Sequence, residues 1–257
     1  VGGRYDAENT SSTPESGAAV THGHGSASPK FGALYHLPRV GDVYANVSRG
    51  FRQTDGVITD PTLPFITAWN YETGLKIDTR DVNASVAVFR MDVSNEQTFN
   101  PITATSVSGG ESRRQGVELE LRARLSGALL LNADWTFNDA RYRHLITAAG
   151  DTLDGARVFN TARYVGVVGM DVAPAAAPWY LRLSSNVQGP YTPFDTPGVV
   201  LPAYGLVHVS GGTRIGRAEL QLGLRNVLNR VYPELRAGSF VTPGQPRSVF
   251  GSLRYAF

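Results

Sequence analysis

The chain has 257 residues, a formal charge of +2, 42% hydrophobic and 18% charged residues, the profile of a folded protein rather than a disordered one. So small a charge gives no support for a nucleic-acid partner, and no run approaches the roughly 18 apolar residues of a membrane-spanning helix, so a bilayer could be crossed only by strands. Cysteine is absent, which removes disulfides, thiolate catalysis and Cys-based zinc sites together.

Val1-Gly2-Gly3-Arg4 is neither a signal peptide nor an initiator sequence, so the chain is expected to begin inside a larger protein. Segments with strand character follow in order: Gly2 to Ala7, Pro29 to Leu37, Val43 to Arg52, Trp69 to Asp78 and Asn83 to Val93. Gly116 to Leu125 has the cleanest alternation, with Val117, Leu119, Leu121, Ala123 and Leu125 opposite Glu118, Glu120, Arg122 and Arg124. Leu129 to Phe137 repeats it, as does Trp179 to Val187 after the weaker Ala162 to Val172. Tyr204 to Thr213 and Arg217 to Leu228 come next. The chain closes on Ser248 to Phe257, where Val249, Gly251, Leu253, Tyr255 and Phe257 carry no charge. These are twelve segments, none of them a capped amphipathic helix, and the fold is read as all-β.

The connections alternate in length. Short ones run Leu37 to Asp42, Asp78 to Asn83, Arg124 to Ala128, Val172 to Pro178 and Thr213 to Arg217, rich in the residues of tight turns. Long ones run Glu8 to Ser28, Gln53 to Ala68, Ser94 to Arg113, Asp139 to Thr161, Gln188 to Ala203 and Asn229 to Arg247. Short turns on one rim and long loops on the other are the asymmetry of an antiparallel, up-and-down outer-membrane barrel, whose strands need about ten tilted residues to cross. A charge facing lipid at mid-bilayer costs about 2 to 4 kcal/mol, so Arg122, Arg124, Arg182 and Arg225 are assigned inward, and in each segment they do share the polar face. The alternatives are a passive channel of these twelve strands closed on themselves and a soluble β-sandwich that binds a ligand.

Several phrases resemble the carboxyl-terminal barrel of the TonB-dependent outer-membrane receptors. They are Val43 to Arg52 (VYANVSRGFR), Tyr71 to Lys76 (YETGLK), Phe89 to Asn95 with Ser112 to Glu120 (SRRQGVELE), Leu224 to Tyr232 (LRNVLNRVY) and the closing Pro246 to Phe257. The resemblance implies that residues 1–257 form a partial barrel, the second half of one with about 22 strands, with the plug domain and first half lying outside the chain. It also implies import of a scarce, bulky solute such as a ferric siderophore, energised by TonB through the plug, in the outer membrane of a Gram-negative bacterium. The implied partners are that solute, TonB, outer-membrane lipid and the barrel assembly machinery. The assembly signal would be Leu253, Tyr255 and Phe257.

No enzymatic constellation and no cofactor site is legible. His22 and His24 form a His-Gly-His pair in a Gly/Ser-rich stretch without a carboxylate or third imidazole, and His144 has no nucleophile near it in sequence. Solute contacts are sought where Arg and aromatic residues gather in the long connections, since guanidinium pairs with anionic chelate oxygens while rings pack on the ligand body. The candidates are Arg141, Tyr142, Arg143 and His144, then Tyr191 with Phe194, then Tyr232 with Arg236 and Phe240.

Overall fold

The computed structural model describes residues 1–13, 17–53, 61–100, 105–147, 150–193, 198–237 and 240–256. Fourteen strands follow in chain order: β1 (Gly2–Ser12), β2 (Val20–Leu37), β3 (Gly41–Arg52), β4 (Ile66–Asp78), β5 (Val82–Asn100), β6 (Thr105–Arg124), β7 (Leu129–His144), β8 (Tyr164–Val172), β9 (Trp179–Gln188), β10 (Tyr204–Ile215), β11 (Ala218–Arg225), β12 (Pro233–Ala237), β13 (Phe240–Pro243) and β14 (Ser248–Tyr255). Twelve of them form a single antiparallel sheet in the order β1 to β11 followed by β14, and β12 pairs only with β13 in a separate hairpin. Every neighbour in the large sheet is a neighbour in sequence apart from the last step, which skips that hairpin. This is up-and-down topology.

Register puts each strand's apolar positions beside those of the next. Leu119 lies opposite Val86 on one side and Trp135 on the other, and Leu222 lies between Gly211 and Gly251. The resulting apolar face is uncovered: Leu119 is 40% and Leu222 56% exposed, and Val88, Phe137, Leu181, Leu183, Val249 and Leu253 are exposed beside them. A β-sandwich would seal this face against a second sheet about 10 Å away. Among the described residues the twelve-strand sheet has no such partner, and an apolar band of this extent is stable only against lipid or another apolar surface. A self-closed twelve-strand channel is not formed either, because β1 pairs only with β2 and β14 only with β11 among the described residues.

The opposite face is polar. Ser85 Oγ donates to Glu120 Oε2 at 3.0 Å, Arg182 Nε to Asp171 Oδ1 at 2.5 Å, and Lys76 and Arg225 lie 5.0 Å over the rings of Tyr44 and Phe250. Aromatic rings gather at the ends of the apolar face. Trp135, Phe137 and Tyr164 form one group, and the Trp135 ring lies so close over Gly166 that an added Cβ would meet it at 2.2 Å. Trp179 and Tyr255 lie at the rim of the short turns.

Three of the expected long connections are shorter than the sequence suggests. Glu8 to Ser28 is mostly ladder, pairing Glu8 with His24 and Ser12 with Val20. Ser94 to Arg113 continues β5 and β6 as far as Asn100 and Thr105, with bulges around Glu96. β7 runs on through His144. Asn229 to Arg247 holds the β12–β13 hairpin. His22 and His24 therefore stand on β2 rather than in a flexible loop. Above the crossing length these strands have two wet faces, so backbone hydrogen bonds continue without any apolar alternation to announce them.

Candidate functional site

On the polar face, near the rim of the long connections, a row of inward side chains is small except at its β7 end. The ladder aligns Gly50, Ala68, Val93, Ser112 and Tyr142 across β3 to β7. Small residues on β3 and β4 leave room, and a cavity of about 430 Å³ opens there, lined by Phe51, Arg52, Met91, Glu96, Gln97 and Arg114 among others. Its ionic centre is the pair between Arg114 Nη2 and Glu96 Oε1. The bulges flanking Glu96 turn that carboxylate inward. Its second oxygen, Oε2, and Gln97 Oε1 are buried without a hydrogen-bond partner among the described residues. Buried acceptors in that condition cost about 1 to 3 kcal/mol each, so the cavity favours an occupant that brings hydrogen-bond donors to them. Beside the cavity Phe51 stacks on Phe65 at 4.9 Å, Phe65 approaches His24 at 5.4 Å, and His24 Nε2 is 2.7 Å from the Pro61 carbonyl.

A second cavity on the same face, about 390 Å³, is bounded by Asp134, Thr136, Asn186, Gln188, Tyr204 and Tyr232. Tyr204 and Tyr232 meet at 4.6 Å, and Tyr204 Oη donates to Gln188 Oε1 at 3.0 Å.

The residues expected to gather around Arg141 do not converge on one point, because a strand sends successive side chains to opposite faces. Arg141 lies on the apolar-face side, bonded to Asp139 at 3.1 Å and to the Gly155 carbonyl at 3.0 Å. Tyr142 points to the other face and is buried at 7% exposure with Ala140, Leu145 and Val158. Its hydroxyl accepts from the Phe159 amide at 3.4 Å. Arg143 is skipped by the register irregularity at Glu111/Ser112, and His144 stands exposed 3.5 Å from Asp154. Tyr191 is buried and bridged to Leu201, and burial pushes its hydroxyl pKa up. Phe194 and Phe257 lie outside the described residues, as does the Arg236 side chain, whose backbone pairs with Val241. Phe240 is exposed at the tip of the β12–β13 hairpin, and Leu253 and Tyr255 are exposed on the apolar face of β14. Of the third group Tyr232 lines a cavity, while Tyr142 borders the first one. Glu96 and Gln97 are not legible as site residues because Ser94 to Arg113 looks like a loop, in which no facing can be assigned, and Arg114 stands between that stretch and the alternation that begins at Gly116.

The base of the last long connection is fixed by asparagines. Asn226 is buried at 2% exposure; its amide donates to the Arg230 and Gln245 carbonyls at 2.9 and 3.0 Å and its Oδ1 accepts from the Arg230 amide at 2.8 Å. Asn229 Oδ1 accepts from the Arg247 amide at 2.9 Å. Both residues have positive φ, 48° and 50°, a conformation asparagine tolerates better than most side chains.

The family model "TonB dependent receptor-like, beta-barrel" matches residues 1–227. The metal-pseudopaline receptor CntO of Pseudomonas aeruginosa is 26% identical over 88% of the chain, and the ferrioxamine B receptor of Salmonella typhimurium 25% over 100%. Among solved structures, the ferric yersiniabactin uptake receptor FyuA from Yersinia pestis superposes with a TM-score of 0.80 at 20% identity, covering 98% of this chain and 42% of that one. The chain spans 33% and 38% of the length of the two curated relatives. These relatives are receptors, not enzymes.

Proposed function

The chain belongs to the TonB-dependent receptor family, and from that premise we propose that it forms the second half of a larger outer-membrane barrel importing a ferric siderophore or a similar metal chelate. The reading rests above all on the two-sided wall: an uncovered apolar band on one face, and on the other a polar surface with a cavity at the rim of the long connections. In the barrel the polar face lines the lumen and the Arg114–Glu96 cavity belongs to the outer vestibule, where an incoming solute is met first. The remaining strands pair with the free edges of β1 and β14, which removes the unsatisfied backbone groups that lipid does not tolerate. Energy reaches the solute through a plug contacted by TonB, and the barrel assembly machinery inserts the wall through β14 with Leu253, Tyr255 and Phe257.

Arginine with aromatic neighbours suits an anionic chelate, since charge-assisted hydrogen bonds fix its oxygens while rings cover its body. Arg52 and Arg114 with Phe51 supply that combination at the first cavity, and Tyr204 with Tyr232 supply ring surface at the second. The test is uptake of radiolabelled ferric chelates by an iron-limited host carrying the full-length receptor. Uptake is expected to disappear on receptor deletion and on removal of TonB or the proton gradient. Accumulation that persists without TonB and without the gradient would establish a passive pore and overturn the reading.

A further inference from the structure

The Arg114–Glu96 cavity carries hydrogen-bonding capacity that anionic oxygens alone do not meet. Arg52 and Arg114 supply donors on its wall, but Glu96 Oε2 and Gln97 Oε1 are acceptors, buried without a partner among the described residues. Ser112 stands between Val93 and Tyr142 in the ladder, is 1% exposed, and has a hydroxyl in the same condition.

These acceptors are held in place. Gly110 lies opposite Glu96 across the β5–β6 bulge, and a Cβ added there would meet Leu145 at 2.6 Å and the Glu96 carbonyl oxygen at 3.1 Å. Arg114 takes Glu96 Oε1. Gln97 donates Nε2 to the Pro64 carbonyl at 3.3 Å, which leaves its amide oxygen as the unused half. The last side-chain torsion of Glu and Gln is soft, so both oxygens can turn to a donor entering the cavity without backbone movement.

The spacing decides which donor fits. Arg114 Nη2 and Glu96 Oε1 are in direct contact, so a solute that reaches both residues must present an acceptor and a donor side by side. At about 430 Å³ the cavity admits only one edge of a bulky chelate. Catecholate, hydroxamate and hydroxycarboxylate groups present only oxygen where they hold their metal, and those lone pairs would face the lone pairs of Glu96 and Gln97. A chelate that binds its metal through amine nitrogen as well as carboxylate oxygen presents both partners around one ion, and the cation's pull on the nitrogen makes each N–H a strong donor.

We propose that this cavity selects an aminocarboxylate metal chelate, with its carboxylate oxygens on Arg52 and Arg114 and its metal-bound N–H groups on Glu96 Oε2 and Gln97 Oε1. The inference rests on the import of a metal chelate and narrows its chemical class. Glu96 and Gln97 are then specificity residues: an all-oxygen chelate leaves their acceptors unpaired and is rejected, as happens in sites built to receive a substrate N–H.

The test is isothermal titration of the full-length receptor with exchange-inert cobalt(III) complexes of ethylenediaminediacetate and of its N,N′-dimethyl derivative, which share charge and carboxylate oxygens and differ at the metal-bound N–H. The wild type is expected to bind the N–H complex at least about tenfold tighter, in line with hydrogen bonds to a charged acceptor. In Gln97→Met this preference should shrink severalfold, whereas in Arg114→Lys both affinities should fall together and the preference should persist. Heat-modifiable gel migration reports barrel assembly, and Glu96→Gln supplies the same comparison if Gln97→Met does not assemble. Equal binding of the two complexes by the wild type would mean that ordered water already satisfies the acceptors. A preference unchanged in Gln97→Met would mean that the methyl groups merely clash, and failure of both complexes to bind would assign the cavity to another class of solute. Each of these results overturns the proposal and leaves energised import standing, whereas uptake without TonB would remove import and leave the measured preference intact.

Discussion

Two of the long connections solve the problem of standing outside the bilayer in opposite ways. Residues 145–147 and 150–163 fold back on the top of β7: Leu145 and Val158 join Ala140 and Tyr142 in a small buried cluster, and backbone bonds from Tyr142 to Ala156 and from Val158 to Ala140 tie the segment down. The connection between β11 and β14 is fixed at its base by Asn226 and Asn229, with Tyr232 packed on Tyr204, and lifts a short hairpin whose Phe240 is 81% exposed. The first is a scaffold with its own core. The second is a clamp carrying an exposed apolar tip, and the difference separates residues that hold the vestibule from those free to touch what enters it.

The contrast is broken most directly at Leu145, which is 2% exposed. Leu145→Ala removes the centre of the cluster, and core truncations of this kind cost about 2 to 5 kcal/mol. The loss should be local, because the barrel ladder does not depend on it. Amide exchange at Tyr142 and Val158 is expected to accelerate strongly while amides of β9 and β10 keep their protection. Equal acceleration throughout the sheet would show that the cluster supports the whole wall.

Asn226→Ala tests the clamp. It removes three side-chain hydrogen bonds, leaves the Arg230 and Gln245 carbonyls unpaired and places alanine at positive φ. A cost of about 2 to 3 kcal/mol follows from buried hydrogen bonds worth about 1 kcal/mol each, read as a lower thermal midpoint and faster proteolysis of the β12–β13 hairpin. Protection of residues 145–163 should be unchanged, and a loss there would mean that the two connections are not independent.

Arg114→Ala reaches the cavity that the scaffold borders. Glu96 then keeps a buried charge without its partner, and on the proposed import of an anionic chelate that solute loses a guanidinium contact. Binding of the transported chelate, measured by isothermal titration with the full-length receptor, is expected to weaken about tenfold. Arg114→Lys should recover only part of this, because ammonium lacks the planar fork.

Most of the wall is legible in the sequence because a membrane imposes strict alternation: Leu119 and Leu121 must face lipid and Glu118 and Glu120 must not. Where both faces are wet the rule lapses. Glu8 to Ser12 and Val20 to His24 pair as a regular ladder without an apolar stripe, and Glu96 is aimed by bulges that composition does not reveal. The same alternation that made the strands visible also explains why Arg141 and Tyr142, adjacent in sequence, end on opposite faces. Asn226 and Asn229 were visible as a phrase, but their role as a clamp depends on contacts with Gln245 and Arg247 across the whole connection.

The smallest expected effect sharpens the comparison most. Phe240→Ser replaces an exposed ring at the hairpin tip, and surface changes away from packing usually stay within about 0.5 kcal/mol. The thermal midpoint should therefore not move, in contrast to Leu145→Ala. A ring standing in water gains about 25 cal/mol for each Å² of apolar surface that a partner covers, so an effect on chelate capture without one on stability would assign the tip to recognition. The measurement is the association rate of the ferric chelate with the full-length receptor, expected to fall several-fold with dissociation little changed. A drop in stability above about 1 kcal/mol would instead place Phe240 in packing, and the second connection would then be a scaffold like the first.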